Sequence, residues 1–193
     1  MTSQHDHPEH DDPEYEAYEA HDHTLILDRL PPGHWHIDPD SSEVLFRARA
    51  LFGLVPVTGV FERFAGEIRV AEDGAASGRL EVEMASIYTR MRRRDAILRS
   101  DAYFGADQHP RMTFTLERFE PSGEDHLNAI GSLEIRGRTV PLSLPVLAIA
   151  HGDHLHLEGG VKLDHDVAGL GWSKPLLVSR MIRAEVALTL NRD

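Results

Sequence analysis

Apolar and polar residues alternate along most of the chain after residue 42. In the segment SEVLFRARA, Val44, Phe46 and Ala48 fall on one side of an extended chain, and Leu45 is the exception. The same period of two recurs in later segments: FAGEIRVA, GRLEVEMAS, RMTFTLERF, GSLEI, VPLSLPVL, HLHLEGGVKLD and RMIRAEVALTL. This period predicts β-strands that bury one face and leave the other in water.

Turn sequences lie between these strands at the spacing of hairpins, and they read AEDGAASG, EPSGED, RGR and AHGDH. Short turns join antiparallel neighbours, so the sequence predicts an all-β protein with about eight strands in an antiparallel sheet. Such a sheet loses its unpaired edges when it closes into a barrel. A two-sheet sandwich shows the same alternation, and the pattern alone leaves both architectures open.

The segment TRMRRRDAILRSDAYF, residues 89–104, breaks the alternation and predicts a short helical insertion near residues 90–104. One interpretation is that an arginine, above all Arg94, binds an anionic head group at the mouth of a barrel. The other is structural, because Asp95 is placed to begin or cap the helix. The structural role is favoured for Asp95, and both roles stay open for Arg94. Five arginines lie in the segment: Arg90, Arg92, Arg93, Arg94 and Arg99.

The first 30 residues differ in composition from the rest. The stretch HDHPEHDDPEYEAYEAHDH is acidic, rich in histidine and poor in aliphatic residues. Such a sequence cannot bury enough apolar surface to offset its ordering entropy. We therefore expect residues 1–30 to be a disordered tail and residues 31–193 to form one domain. A solubilising role for the tail is favoured, and its histidines are weak candidates for a metal site: His5, His7, His10, His21 and His23.

Composition excludes several functional classes. The 193 residues contain no cysteine, which excludes disulfides, thiolate catalysis and cysteine-based zinc sites. A net charge of −12 disfavours general nucleic-acid binding. No apolar run approaches the ~20 residues of a membrane span, and MTSQHDHPEH lacks the regions of a secretory signal. We therefore expect a cytoplasmic protein. No recognised catalytic motif occurs in the sequence, so we expect a binding protein without a cofactor rather than an enzyme.

Four motifs follow one another in the folded part: WHIDPDSSEVLF, GVFERFAGEI, SIYTRMRRRDAILRSDAYFGADQHPRMTF and GSLEIRGRTVPLSL. In order and spacing they resemble the YceI-like family of lipocalin-fold, isoprenoid-binding proteins, over roughly residues 34–190. The resemblance implies an eight-stranded, lipocalin-like barrel whose hydrophobic tunnel holds a long isoprenoid or fatty chain. It also implies a homodimer.

With this resemblance, the inward apolar faces become the candidate ligand site. The expected function is the carriage or sequestration of an isoprenoid, polyprenyl or quinone-type lipid, with the tail buried in the barrel. Two alternatives stay open: a metal-buffering protein that uses the histidine-rich tail, and an unrecognised lipid-modifying enzyme. The residues expected to line the tunnel are Val44, Phe46, Val82, Met84, Met112, Phe114, Leu133, Ile135, Leu144 and Val186.

Overall fold

The computed structural model describes residues 30–50, 54–123, 126–166 and 179–193. The predicted tail, residues 1–30, lies outside this part of the chain except for Leu30. Among the described residues, no helix has the length and apolar character that a membrane span requires. The elements are β1 (Gly33–Ile37), β2 (Glu43–Ala50), β3 (Val55–Phe61), β4 (Phe64–Val70), β5 (Ala76–Glu83), β6 (Ile87–Tyr88), α1 (Arg92–Arg99), β7 (Arg111–Pro121), β8 (His126–Ile135), β9 (Arg138–His151), β10 (His154–Asp164) and β11 (Met181–Arg192).

The sheet closes on itself because β1 pairs with two neighbours. Trp35 of β1 lies opposite Ile68 of β4 and opposite Arg192 of β11. The closed ring runs β1-β4-β5-β7-β8-β9-β10-β11 and returns to β1, with antiparallel pairing throughout. The predicted antiparallel eight-stranded barrel with a short helix is therefore confirmed, and the sandwich alternative is excluded.

The first strand of the barrel is broken in two. Pro39–Ser41 form a 3₁₀ turn between β1 and β2, and the side chain of Asp38 accepts a hydrogen bond from the backbone N–H of Asp40 at 3.1 Å. Proline has no N–H to donate, so it interrupts the strand here. Both β1 and β2 pair with β11, but β1 also pairs with β4, whereas β2 pairs with β3. After the break the chain continues as β2, which pairs with β3, and β3 pairs in turn with β6. These three strands extend the sheet at one end of the barrel.

The buried face of β2 is the one that the alternation predicts. Val44, Phe46 and Ala48 are buried, and Leu45 is half-buried on the other face. Gly59 of β3 lies opposite Phe46, and a Cβ at this position would come within 2.3 Å of the Phe46 ring. Glycine is therefore needed where this ring crosses β3.

Helix α1 is shorter than the predicted insertion, because residues 101–104 form turns. Leu98 is buried, and the backbone N–H of Phe104 donates to the Leu98 carbonyl at 2.9 Å. The turns after the helix thereby bring Phe104 back into the core. Asp95 does not cap the helix, since the cap position falls on Met91, whose side chain makes no capping hydrogen bond.

The barrel has two different ends. The turn between β8 and β9 lies against the segment after α1, because the guanidinium of Arg136 donates to the carbonyls of Asp101 and Tyr103. We call this end the helix end. At the opposite end, β1 lies beside the last residues of β11. We call this end the floor, and its packed side chains include four that are fully buried: Trp35, Leu127, Leu155 and Leu190.

Candidate ligand tunnel

Two adjoining apolar cavities occupy the interior of the barrel. The larger measures about 90 Å³ and the smaller about 50 Å³. A volume of roughly 10–15 Å³ already holds one water molecule, so both are larger than gaps between packed side chains. The larger cavity lies at the helix end, where Phe46, Phe61 and Phe104 contact it. The smaller lies toward the floor, where it is lined by Leu157 and Leu188.

A ring of four apolar side chains lies between the two cavities. Leu80, Phe114, Leu144 and Val186 contact both of them, and they come from β5, β7, β9 and β11. The two apolar cavities therefore lie end to end along the barrel axis, from the helix end toward the floor. We call the two cavities the tunnel and these four residues its neck.

The structure places most of the predicted lining residues on the larger cavity. They occupy β2, β7, β8, β9 and β11, and their apolar faces converge on the barrel axis as the alternation requires. The residues that contact this cavity are Val44, Phe46, Met112, Phe114, Leu133, Ile135, Leu144 and Val186.

Val82 and Met84 do not line either cavity, which corrects the sequence analysis. Both side chains are buried in the packed core. Met84 begins the 3₁₀ turn Met84–Ser86, and its backbone N–H donates to the carbonyl of Pro110 at 2.9 Å. The chain leaves the strand at this residue, so the period of two no longer says where a side chain points.

Some lining residues were missed by the sequence analysis. Leu80 lies on the same predicted face as Val82, so the alternation could have identified it. Phe61 lies at the end of a short strand, and Phe104 lies in a turn, where no periodic signal exists. The Phe46 and Phe104 rings meet edge to face, with centroids 5.7 Å apart. Aromatic rings thus form the wall of the tunnel at the helix end.

The barrel wall is split beside the larger cavity. Strands β9 and β10 pair as far as Val146 and Gly159, and the described residues beyond this pair form no further ladder between the two strands. Pro141 and Pro145 lie in this part of β9, and proline cannot donate to a neighbouring strand. Backbone hydrogen bonds therefore do not close this side of the tunnel. The cavity is lined along the split by Leu142, Leu144, Val161 and Leu163.

Arg94 and Asp95 belong to one hydrogen-bond network that centres on Thr89. The buried Asp95 carboxylate accepts hydrogen bonds from the backbone N–H of Thr89 at 2.9 Å and from its hydroxyl at 2.5 Å. The guanidinium of Arg94 donates to the Thr89 hydroxyl at 2.8 Å and to its carbonyl at 2.6 Å. The network fastens the start of α1 to the chain before it, so the contacts of Arg94 are those of a bracing residue.

Of the other arginines in this segment, one donates a hydrogen bond to the backbone and three are exposed to solvent. Arg99 donates to the carbonyl of Ile87 at 2.8 Å. Arg90, Arg92 and Arg93 are exposed, and no hydrogen bond or ion pair joins their side chains to another described residue. Two apolar side chains of the same segment, Met91 and Ile97, are exposed as well. These five exposed residues, 90–93 and 97, form what we call the helix surface.

Two ion pairs with shifted pKa values lie on the rim of the helix end. The Arg63 guanidinium donates to the Glu83 carboxylate at 2.6 and 2.7 Å, and this hydrogen bonding lowers the pKa of Glu83 and raises that of Arg63. Arg180 donates to Asp164 at 2.6 Å, which raises the pKa of Arg180. The pairs tie neighbouring strand ends together outside the tunnel.

A family model, the YceI-like domain, matches residues 35–192. Among curated proteins, Protein YceI of Escherichia coli is 31% identical over 97 residues, which cover 49% of this chain and 50% of the relative. Protein YceI of Shigella flexneri matches to the same extent. The chain spans about half the length of the curated relatives that it matches.

Several solved structures have the same architecture. BcnA of Burkholderia cenocepacia gives a TM-score of 0.73 at 20% identity, covering 79% of this chain and 98% of that one. A polyisoprenoid binding domain from Saccharophagus degradans, implicated in plant cell wall breakdown, gives 0.67 at 13% identity, with coverage of 82% and 98%. At these identities the likeness shows a shared fold.

Proposed function

The chain belongs to the YceI-like domain family, and from that membership and the tunnel we propose that it binds one long hydrophobic chain inside its barrel. The ligand we propose is an isoprenoid, either a polyprenyl lipid or a quinone-type tail, which the protein carries or sequesters. The observation that carries the proposal is the neck, because it lies between two apolar cavities that would form one elongated site with a chain passing between them. The polyisoprenoid binding domain with the same fold supports this ligand class.

Burial of apolar surface supplies the binding energy. Each buried CH₂ group is worth about 0.8 kcal/mol before the costs of association are subtracted. A linear chain that fills both cavities therefore gains affinity with each unit that enters the tunnel. Met112 lines the larger cavity, and a methionine side chain adapts its shape to a flexible ligand at small cost.

We propose a binding protein rather than an enzyme. Glu185 contacts the larger cavity, but its carboxylate accepts a hydrogen bond from Arg47 and pairs with Arg183, each at 2.7 Å. Glu67 and Arg79 contact the smaller cavity, and Arg79 pairs with Glu81 at 2.6 Å. Glu67 lies 3.0 Å from His34, so each of these charged groups has a partner at the margin of an apolar site. A cytoplasmic location and a homodimer stay predictions.

The helix surface supports a route for delivery to a membrane. Its three exposed arginines carry positive charge on a protein with a net charge of −12, and two exposed apolar side chains accompany them. Basic residues near an anionic bilayer contribute about 1 kcal/mol each. We therefore expect the helix end to dock on anionic lipids while the chain enters or leaves the tunnel. Arg92→Gln with Arg93→Gln should reduce sedimentation with phosphatidylglycerol vesicles, and Arg118→Gln, at the floor, should leave it unchanged.

Organic extraction of the purified protein, followed by mass spectrometry, tests the proposal. We expect an isoprenoid chain in the extract at a fixed ratio to protein. A matched preparation of Leu144→Trp, whose indole would fill the neck, should yield less of it. An extract without lipid, together with no binding of added prenyl chains on titration, would overturn the proposal.

A further inference from the structure

Three side chains with metal-binding atoms meet on the outside of the barrel at the floor. His36 Nε2 lies 3.1 Å from Asp193 Oδ2, and His34 Nδ1 lies 3.5 Å from the same oxygen. One ligand atom from each of the three residues lies within 4.8 Å of the others. The two imidazole rings are 4.3 Å apart between centroids. None of these residues belongs to the tunnel.

The backbone of the barrel holds this cluster in place. His34 and His36 share the outer face of β1, because Trp35 between them points inward and is fully buried. Trp35 lies opposite Arg192 in the ladder with β11, and the backbone N–H of Asp193 donates to the carbonyl of His34 at 3.0 Å. Backbone hydrogen bonds therefore hold the backbone that carries all three side chains.

We propose that His34, His36 and Asp193 form a site for a divalent transition-metal ion of the Zn²⁺ class. Zinc binds imidazole nitrogen and carboxylate oxygen at about 2.0–2.2 Å, so two ligands of a tetrahedral ion are roughly 3.3–3.5 Å apart. The two observed separations, 3.1 and 3.5 Å, are close to this value. Two imidazoles and one carboxylate suit zinc and neighbouring first-row ions. Water or another ligand completes the coordination.

Glu67 supplies the outer support that metal-binding histidines need. Its carboxylate lies 3.0 Å from Nε2 of His34, on the opposite side of the ring from Asp193. An ion on Nδ1 fixes the proton on Nε2, which then donates to Glu67. Arg69 Nε also approaches His34 Nε2, at 3.3 Å, but that contact requires an unprotonated Nε2. Metal binding therefore selects the Glu67 contact, and Glu67 is a positioning residue for His34.

This proposed metal site does not depend on lipid binding. It is also distinct from the candidate metal site in the histidine-rich tail. The test uses the full chain with His5, His7, His10, His21 and His23 changed to serine, so that tail histidines cannot contribute. Zn²⁺ titration by calorimetry should then give one bound ion per chain. Because the ion joins β1 to the residue after β11, it binds only the folded state, and Tm should rise with Zn²⁺ concentration. The absence of saturable binding in this protein would overturn the proposal.

Single substitutions in that background identify the ligands. His36→Ala or Asp193→Asn should weaken Zn²⁺ binding by more than about tenfold, and Glu67→Gln should weaken it by roughly tenfold. With Co²⁺ as the probe, Glu67→Gln should also shift the visible absorption bands, which a purely structural role would not do. His154→Ala is the matched control, because His154 contacts Asn191 outside the cluster. Equal affinity in His36→Ala, Asp193→Asn and the control would overturn the proposal.

Discussion

The two ends of the barrel use charged and polar side chains in opposite ways. At the helix end, the Asp95 carboxylate is buried, and both hydrogen bonds that it accepts come from Thr89. At the floor, His36 and Asp193 are exposed and face each other across 3.1 Å. The first arrangement is closed to solvent and stabilises the chain, whereas the second consists of side chains that are hydrogen-bonded to each other and remain exposed to solvent. Residue type alone therefore does not distinguish a carboxylate that braces the chain from one that is available to a ligand. The burial of the carboxylate and its hydrogen-bond partners make that distinction.

The largest expected effect is a difference in the free energy of unfolding between substitutions at the two ends of the barrel. Asp95→Ala leaves the buried N–H and hydroxyl of Thr89 without their acceptor, and it should lower the free energy of unfolding by about 2–3 kcal/mol. Asp193→Ala, without added metal, removes an exposed side chain and should change it by less than about 0.5 kcal/mol. Urea unfolding of both variants measures the difference. Equal losses would show that the two ends do not differ in this way.

The second prediction tests whether the tunnel connects the helix end with the floor. Leu144→Trp should fill the neck and weaken the binding of long prenyl chains by at least about tenfold, because their distal units lose the smaller cavity. Short chains, which need only the larger cavity, should lose less affinity, because Leu144 is only one of the residues that line that cavity. Ser143→Trp is the control, since Ser143 is the exposed neighbour on β9. An equal loss for short and long chains would argue against a passage through the neck.

The smallest effect concerns the rim of the helix end. The hydrogen bonds from Arg63 lower the folded-state pKa of Glu83 below its ordinary value of 4.5. The pair therefore stabilises the fold above that pH, and the contribution is lost as the pH falls through the lowered pKa. Arg63→Gln should slightly reduce the urea midpoint at neutral pH, and the difference from the unmodified protein should disappear in acid. If the difference in urea midpoint were the same at every pH, it would not come from the ion pair of Arg63 and Glu83.

The sequence predicted the lining residues correctly where the period of two determines which face of a strand a side chain occupies. Val44 and Phe46 lie on a regular strand, so a period of two was enough to place both on the tunnel. Met84 lies where a strand turns into a 3₁₀ helix, and there the period fails. Alternation and hairpin spacing predicted the antiparallel strands, whereas closure into a barrel was implied only by the resemblance to the YceI-like family. The alternation did not identify β1 and β6, which have five and two residues, or β3, which contains a proline and a glycine.

The cluster of His34, His36 and Asp193 could not be predicted because it depends on the pairing of strands that are distant in the sequence. His36 and Asp193 are 157 positions apart in the chain, and only the closure of the barrel by β1 and β11 brings them together. The same holds for Phe104, which reaches the tunnel through turns that follow α1. The structure was also needed for Arg94, since five neighbouring arginines give no sign of which one Thr89 engages.

The dependence of affinity on chain length tests the central claim most directly. We would titrate the protein with prenyl alcohols that differ by one isoprene unit. Affinity should rise by about tenfold or more with each unit while the tunnel fills, and it should level off once the chain extends past the cavity beside Leu157 and Leu188. Affinity that is independent of length, or that rises without limit as in adsorption to an apolar surface, would contradict a tunnel of fixed length.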